Sequence, residues 1–447
     1  MRNCFVVIFI LAGCSCAAQE PVGQNHSPSF EFGFEQRVRN ENWNNILDYS
    51  SAQDDERQQI RYRTRVWMKA PLASTVDLFV GLNQETNQKI GMANRFDEVI
   101  FENAYLDFKR LFVDGLSLRV GRQNLMRGEG FLLFEGTSGD GSRGIYFNAA
   151  RLAYSRKKST IELIGILNPT YDRFLPRIHD QHKLLQEWNE QALGVYYTDA
   201  NLKNTGIEAY YFLKKEVNDV RPAANPQFQP DRRISTLGAR VVREISPGWR
   251  ATGEFAGQWG VQHPSTSVRG WAGYGYLRRT FQHAWKPYLQ AGYWGFSGDD
   301  PVTADRVEGW DPLFSRWPKW SELYLYSLVR ERGVAYWTNL GMWQGEAGFY
   351  PHRKLECRLT YYRMGAFHPF RGDQSVFGDG TRRGDNIQAR LDFILNPNWR
   401  GHVLYEEHLP GSFYRMQNKG YFLRFELSFL IRATPAAESV KNILRFD

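Results

Sequence analysis

Cysteine is nearly absent from the body of this chain. Of the four cysteines in 447 residues, Cys4, Cys14 and Cys16 crowd the N-terminus and only Cys357 lies beyond them. Neither a disulfide framework nor a cysteine metal site can be built from one thiol. A nearly cysteine-free exported chain is consistent with an oxidising compartment. Long apolar runs are missing too. After the N-terminus no stretch of about 20 apolar residues occurs, which excludes a membrane-spanning helix. Mean hydropathy is only −0.51. There is no GxSxG, no HExxH and no Gly-rich phosphate loop, so catalytic chemistry has no motif to rest on. No long amphipathic helical pattern occurs either.

What is present is aromatic and basic. Aromatic residues make up 15% of the chain and the formal net charge is +8. Many aromatics with low mean hydropathy suit a membrane β-barrel, in which only alternate residues are apolar. They also suit a carbohydrate-binding sandwich. The charge alone would admit nucleic acid, but the first residues argue against it.

Those residues read "MRNCFVVIFILAGCSCAAQEP". Arg2 supplies a positive start, Phe5 to Ala12 a short apolar region, and small residues follow. This is a bacterial export signal, too short to span a bilayer, and it is assigned to residues 1–18. Two cleavage readings compete. "LAGC", Leu11 to Cys14, resembles a lipobox that would leave a lipidated Cys14. Cleavage near Ala17 or Ala18 would instead release an unmodified N-terminus. For an exported basic chain, anionic solutes and lipopolysaccharide are the expected partners rather than nucleic acid.

The stretch "QQIRYRTRVWMKAP", Gln58 to Pro71, shows the pattern that dominates the rest. Arg61, Arg63, Arg65 and Lys69 share one parity; Ile60, Tyr62, Val66 and Met68 share the other. A helix would scatter the arginines, whereas a strand puts them on one face. In a soluble sheet the apolar face would be core. In a membrane barrel it would meet lipid, and the charged face would meet water inside.

Similar segments recur to the end, among them "SFEFGFEQRV", "TVDLFVGLN", "NIQARLDFIL" and "GYFLRFELSF". The connections between them discriminate further. Turn-sized gaps at 71–74, 112–115, 157–159, 246–248, 350–354 and 396–398 alternate with long polar stretches at 41–57, 87–96, 125–143, 168–189, 216–232, 297–321 and 365–383. Outer-membrane barrels have short periplasmic turns and long extracellular loops, whereas a sandwich has no reason to gather its long loops at one end. The expected fold is therefore all-β: a transmembrane antiparallel β-barrel of about 18 strands, wide enough for an aqueous channel. The strand centres fall near 34, 64, 79, 104, 119, 150, 163, 194, 209, 239, 254, 274, 290, 340, 358, 390, 403 and 425. Trp249, Trp259, Trp285, Trp399, Tyr405, Tyr421 and Phe429 lie near strand ends, where interfacial girdles place aromatics. The barrel is assigned to 19–429, and Leu430 to Asp447 reads as a C-terminal periplasmic tail. The expected location is the bacterial outer membrane.

At this level the chain resembles the alginate-export family of outer-membrane β-barrel porins. The resemblance rests on "LRVGRQ" (118–123), "GSRGIYFNAARLAY" (141–154), and "SGDDP" (297–301) followed by "WDPLF" (310–314). It implies a monomeric 18-stranded barrel passing anionic polymer or related anions through a cationic constriction. The family includes diverse porin-like members, so alginate itself does not follow. Trp310 stands where Phe is expected, and the tail after Phe429 is additional.

Parity, without the resemblance, assigns a lumen set: Arg61, Arg63, Arg65, Lys69, Lys109, Arg119, Arg151, Arg240, Arg250, Arg358, Arg390, Arg400 and Arg424, with Arg37 and Arg39. Cation rings are how anion pores select. Carboxylates share the face, among them Glu31, Glu35, Asp77, Asp107, Glu208, Glu254, Glu356, Asp392, Glu406 and Glu426, so cross-strand pairing could neutralise the wall. The strand of Arg61, Arg63 and Arg65 carries no acid of its own. Arg122 falls on the wrong parity unless a bulge shifts it. "HDQH" (179–182) and Asp299 with Asp300 lie in polar loops and read as solvated loop chemistry rather than metal ligands. No cofactor and no catalytic residue is expected.

The function expected is passive diffusion of anionic saccharides, alginate-like or otherwise uronate-rich, through an arginine-lined pore. The barrel-assembly machinery and outer-membrane lipid would be its other partners. Two alternatives remain: a barrel-embedded lipase or hydrolase using His402 and a rim serine, and a binding or adhesion barrel whose loops plug the lumen.

Overall fold

A computed structural model of the chain describes residues 30–52, 55–89, 96–134, 146–217, 231–262, 265–316 and 319–434. The export signal expected at 1–18, residues 141–145 at the start of "GSRGIYFNAARLAY", and residues 435–447 of the expected tail lie outside the described residues.

The strands are β1 (Glu31–Asn44), β2 (Arg57–Ala73), β3 (Val76–Lys89), β4 (Val99–Phe108), β5 (Leu116–Gln123), β6 (Phe147–Arg156), β7 (Ser159–Asn168), β8 (Asn189–Asp199), β9 (Thr205–Val217) and β10 (Asp231–Ser246). After these come β11 (Trp249–Gln262), β12 (Thr266–Thr280), β13 (Tyr288–Phe296), β14 (Arg306–Val307), β15 (Leu340–His352), β16 (Leu355–Gly365), β17 (Arg382–Asn396), β18 (Trp399–Pro410) and β19 (Gly420–Ala433). β14 is a two-residue strand laid parallel against β12, and β13 pairs directly with β15. Every other neighbour is antiparallel, and β1 pairs with both β2 and β19. The result is a closed 18-strand antiparallel barrel, in which each wall strand is paired on both sides. All the expected strand centres fall within observed strands, the one at 340 on the first residue of β15.

β19 runs to Ala433, with Ala433 opposite Phe32 and the Leu430 amide bonded to the Asn398 carbonyl. Leu430–Ala433 is thus barrel strand, and the tail boundary moves four residues onward. The alternation is clearest up to Phe429, which is why the sequence pattern alone stops there.

The two faces of the wall are inverted relative to a soluble sheet. Val66, Leu237, Phe255, Trp343 and Leu359 stand exposed on the outside, while Arg37, Arg39, Arg63 and Arg424 are buried on the inside. β2 shows the cause directly: its odd residues Arg61 and Arg63 are buried and the even residue Val66 is exposed.

β5 departs from strict alternation. Both Arg119 and Arg122 are buried inside although their parities differ. Gly121 between them has φ +127°, and a Cβ there would meet the Ala104 carbonyl oxygen at 2.2 Å. Only glycine takes that backbone without strain, and the resulting slip turns Arg122 inward.

The lumen is partly filled by inward-folded loops. Leu125, Phe131 and Leu133 from the loop after β5 meet Trp310, Phe314, Trp320, Tyr324 and Trp337 from the loop between β13 and β15. Phe131 stacks on Trp310 at 5.6 Å, and Trp320 meets Trp337 edge-on at 4.9 Å. Leu133 and Phe314 bridge the two loops. Trp310, where the family resemblance suggests Phe, is fully buried in this contact. Polar ties hold the assembly to the wall. The Glu322 amide donates to Glu406 on β18 at 2.9 Å, and Arg383 on β17 forks onto Glu331 at 2.8 Å to each oxygen.

Candidate functional site

The site is the lumen wall and the loop assembly it grips. β1, β2, β3 and β19 build one side. Their register sets Arg37 opposite Arg63 and Arg39 opposite Arg61. Like charges directly opposite destabilise a strand pair, so acids from neighbouring strands intervene. Arg61 bonds Glu85 at 2.9 Å and lies 3.4 Å from Glu41. Arg63 bonds Glu35 at 2.7 Å, and Arg65 forks onto Glu102 at 2.6 and 2.5 Å. Arg39 bonds Glu426 through Nε at 2.8 Å, and Arg37 meets Glu85 at 3.4 Å. Arg424 joins Glu41 at 2.6 Å to Glu322 of the inward loop at 2.7 Å.

The other parity-assigned cations are also paired. Lys69 and Lys109 share Asp77, at 3.8 and 2.9 Å. Arg119 meets Asp107, and Arg151 meets Glu162, at 2.7 and 2.6 Å. Arg240 pairs with Glu208 and reaches Glu129 at 3.3 Å. Arg250 lies 3.6 Å from Glu244. Arg358 and Arg390 share Asp392 at 3.6 and 2.8 Å, and Arg400 lies 3.7 Å from Glu35. The wall is therefore a lattice of ion pairs rather than a row of lone arginines. The acids facing β2 sit on β1, β3 and β4, where a reading of β2 by itself cannot see them.

Accessibility separates the pairs. Arg61, Arg63 and Arg424 are buried with their partners, whereas Arg250 and Arg400, near the end that carries the short turns, are about two-fifths exposed. Arg278 belongs with the second group and lies outside the parity-assigned set. It sits on the inward parity of β12 with Tyr274 and Tyr276, and its guanidinium is 3.5 Å from the Tyr288 ring centroid. β12 carries aromatics on both faces, which blurs its polar side. The inward alternation of Tyr274, Tyr276 and Arg278 is the signal that could have found it.

Deeper in, loop residues enter the network. Glu129 accepts from Tyr276 at 2.5 Å and lies 3.7 Å from Lys319. Burial works against its charge, but Lys319, Tyr276 and Arg240 together hold its carboxyl below the ordinary carboxylate value. Arg122 forks onto Asp172 at 2.7 and 2.8 Å. His402 lies beside Glu426, its Nδ1 3.6 Å from Oε1. His179 and His182 lie in the loop after β7, and His182 is largely exposed. Asp299 accepts the Glu308 amide at 2.8 Å and Asp300 the Val302 amide at 3.0 Å, as loop-closing contacts. Among the described residues no group of His, Cys, Asp or Glu is arranged to hold a metal ion.

A closed antiparallel barrel that is apolar outside, charged inside, short-turned at one end and long-looped at the other is an outer-membrane β-barrel of the porin type. The chain belongs to the alginate export family, whose sequence model matches residues 29–423. Its place is the bacterial outer membrane, so the short-turn end is periplasmic. No curated protein matches it in sequence. Among solved structures, Pseudomonas aeruginosa OccK2 (OpdF) is similar at a TM-score of 0.60 and 11% identity, covering 91% of this chain and 98% of that one. The same protein in complex with glucuronate gives 0.58 at 11% identity, covering 90% and 98%. Acinetobacter baumannii OccAB4 gives 0.59 at 10% identity, covering 92% and 100%.

Proposed function

We propose that the barrel passes carboxylate-bearing saccharides by passive diffusion, with uronate-rich molecules as the substrate class. The observation that carries this reading is the graded accessibility of the lumen cations. Those between β1, β2 and β19 are locked into buried pairs and hold the wall together. Arg250, Arg278, Arg358, Arg390 and Arg400 remain partly open to water, where a solute can reach them. At a partly wet site with an effective dielectric near 20, a guanidinium about 6 Å from a carboxylate is worth roughly 3 kcal/mol before screening. That lowers the cost of leaving bulk water. Neighbouring Asp392 competes for Arg358 and Arg390 and keeps the solute from being trapped. Membership of the alginate export family and the glucuronate complex of OccK2 support the substrate class. One chain closes the barrel, so the pore itself needs no second copy. The reading requires no catalytic residue, cofactor or metal.

A second reading has one observation behind it. The apolar loop assembly inside the lumen suits a plugged binding barrel. Proteoliposome swelling separates the two. The channel reading expects faster swelling in sodium glucuronate than in isosmotic neutral hexose. Equal rates remove the anion preference, and no swelling in either solute favours the plug.

A further inference from the structure

Arg250 and Arg278 are direct cross-strand partners on β11 and β12, both on the inward parity near the periplasmic mouth. Two guanidiniums so placed repel unless an acid or an anion lies between them. Elsewhere on the wall the chain supplies the acid: Arg37 opposite Arg63 and Arg39 opposite Arg61 are met by Glu85, Glu35, Glu41 and Glu426. At the mouth it supplies one to Arg250 alone. Arg250 has Glu244 at 3.6 Å, with the two side chains 42% and 50% exposed. Among the described residues no carboxylate lies within ion-pairing distance of Arg278.

Arg278 is nevertheless held in place. Its guanidinium carbon lies over the Tyr288 ring, 3.5 Å from the centroid. The hydroxyls of Tyr288 and Tyr350 are fixed in turn by Glu356 at 3.1 and 3.2 Å. Gly348 on β15 leaves room for the Tyr288 ring, since a Cβ there would lie 2.3 Å from it. A guanidinium stacked on an aromatic ring keeps in-plane N–H donors for a carboxylate acceptor. The next residue, Arg279, faces outward instead, between Trp249 and Phe281 at 5.2 and 5.5 Å.

We propose that Arg250 and Arg278, with Tyr288 as backing, form a carboxylate-binding station at the periplasmic mouth, taking the carboxylate of an acidic sugar residue. This rests on the channel reading above. The test is current block in a planar bilayer by tetragalacturonate added on the periplasmic side, compared with a neutral tetrasaccharide. The readout is the ratio of the two blocking constants. The Arg250→Gln/Arg278→Gln double variant should reduce the wild-type preference for the uronate about tenfold. Arg279→Gln, which changes the same charge on the outer face, should keep the wild-type ratio. Heat-dependent gel mobility verifies that each variant is a folded barrel. An unchanged ratio in the double variant overturns the station and leaves the channel reading standing. No uronate preference in the wild-type protein overturns both.

Discussion

Arg424 on the last strand and Glu322 on the inward loop meet in a two-pronged ion pair, at 2.7 and 2.9 Å, with both side chains buried. The same guanidinium holds Glu41 of the first strand. One arginine thus ties barrel closure to the position of the loop assembly. Glu322→Gln should loosen the loop while leaving Arg424 its contact with Glu41. Breaking one partner of a buried pair costs about 3–5 kcal/mol. Single-channel recordings should show more flicker and a larger open conductance than wild type.

Arg63 tests whether buried lumen cations are structural. It bonds Glu35 at 2.7 Å and stands opposite Arg37. Arg63→Glu would put a second buried carboxylate beside Glu35. The expected loss is again about 3–5 kcal/mol, seen as a lower temperature for the shift between folded and unfolded gel mobility. A selectivity change with no loss of stability would place Arg63 at the solute path instead.

Glu129 sets an acid limit on the loop assembly. Its carboxyl is held below the ordinary value of 4.5. A group whose value is depressed by folding stabilises at pH above its unfolded value, and that contribution is lost as pH falls through the lower, folded value. Channel noise should therefore stay constant from neutral pH down to the ordinary carboxylate range and rise only in more acidic solution. Glu129→Gln should show the noisy state already at neutral pH.

The outer face is tested by Val66, which alternates with Arg65 on β2 and is exposed toward lipid. Val66→Arg should cost about 2–4 kcal/mol if it lies near the bilayer midplane. Reduced folding yield into lipid vesicles is the expected result. Normal yield would mean that the face assignment is reversed.

Much of this fold is legible in the sequence because a barrel repeats one rule. Parity separates Val66 from Arg65, and turn residues such as those at 246–248 separate long loops from short ones. Pairing is less legible. Glu85 and Glu102 reach Arg61 and Arg65 only through inter-strand register, and no single strand encodes that. The Gly121 slip that turns Arg122 inward depends on a φ of +127° that alternation does not reveal. The inward loops are least visible. Trp310 and Trp320 sit in a stretch that reads as a polar connection, and their burial follows from wall contacts such as that between Glu322 and Glu406.

Water-accessible lumen arginines should make the pore favour anions, and on this the proposed function stands. Reversal potential of the purified protein in a planar bilayer, under a potassium chloride gradient, measures it most directly. The expected result is an anion preference that weakens as salt rises, because charges are screened over about 8 Å at 0.15 M and about 3 Å at 1 M. A cation preference, or a preference that does not change with salt, would contradict it.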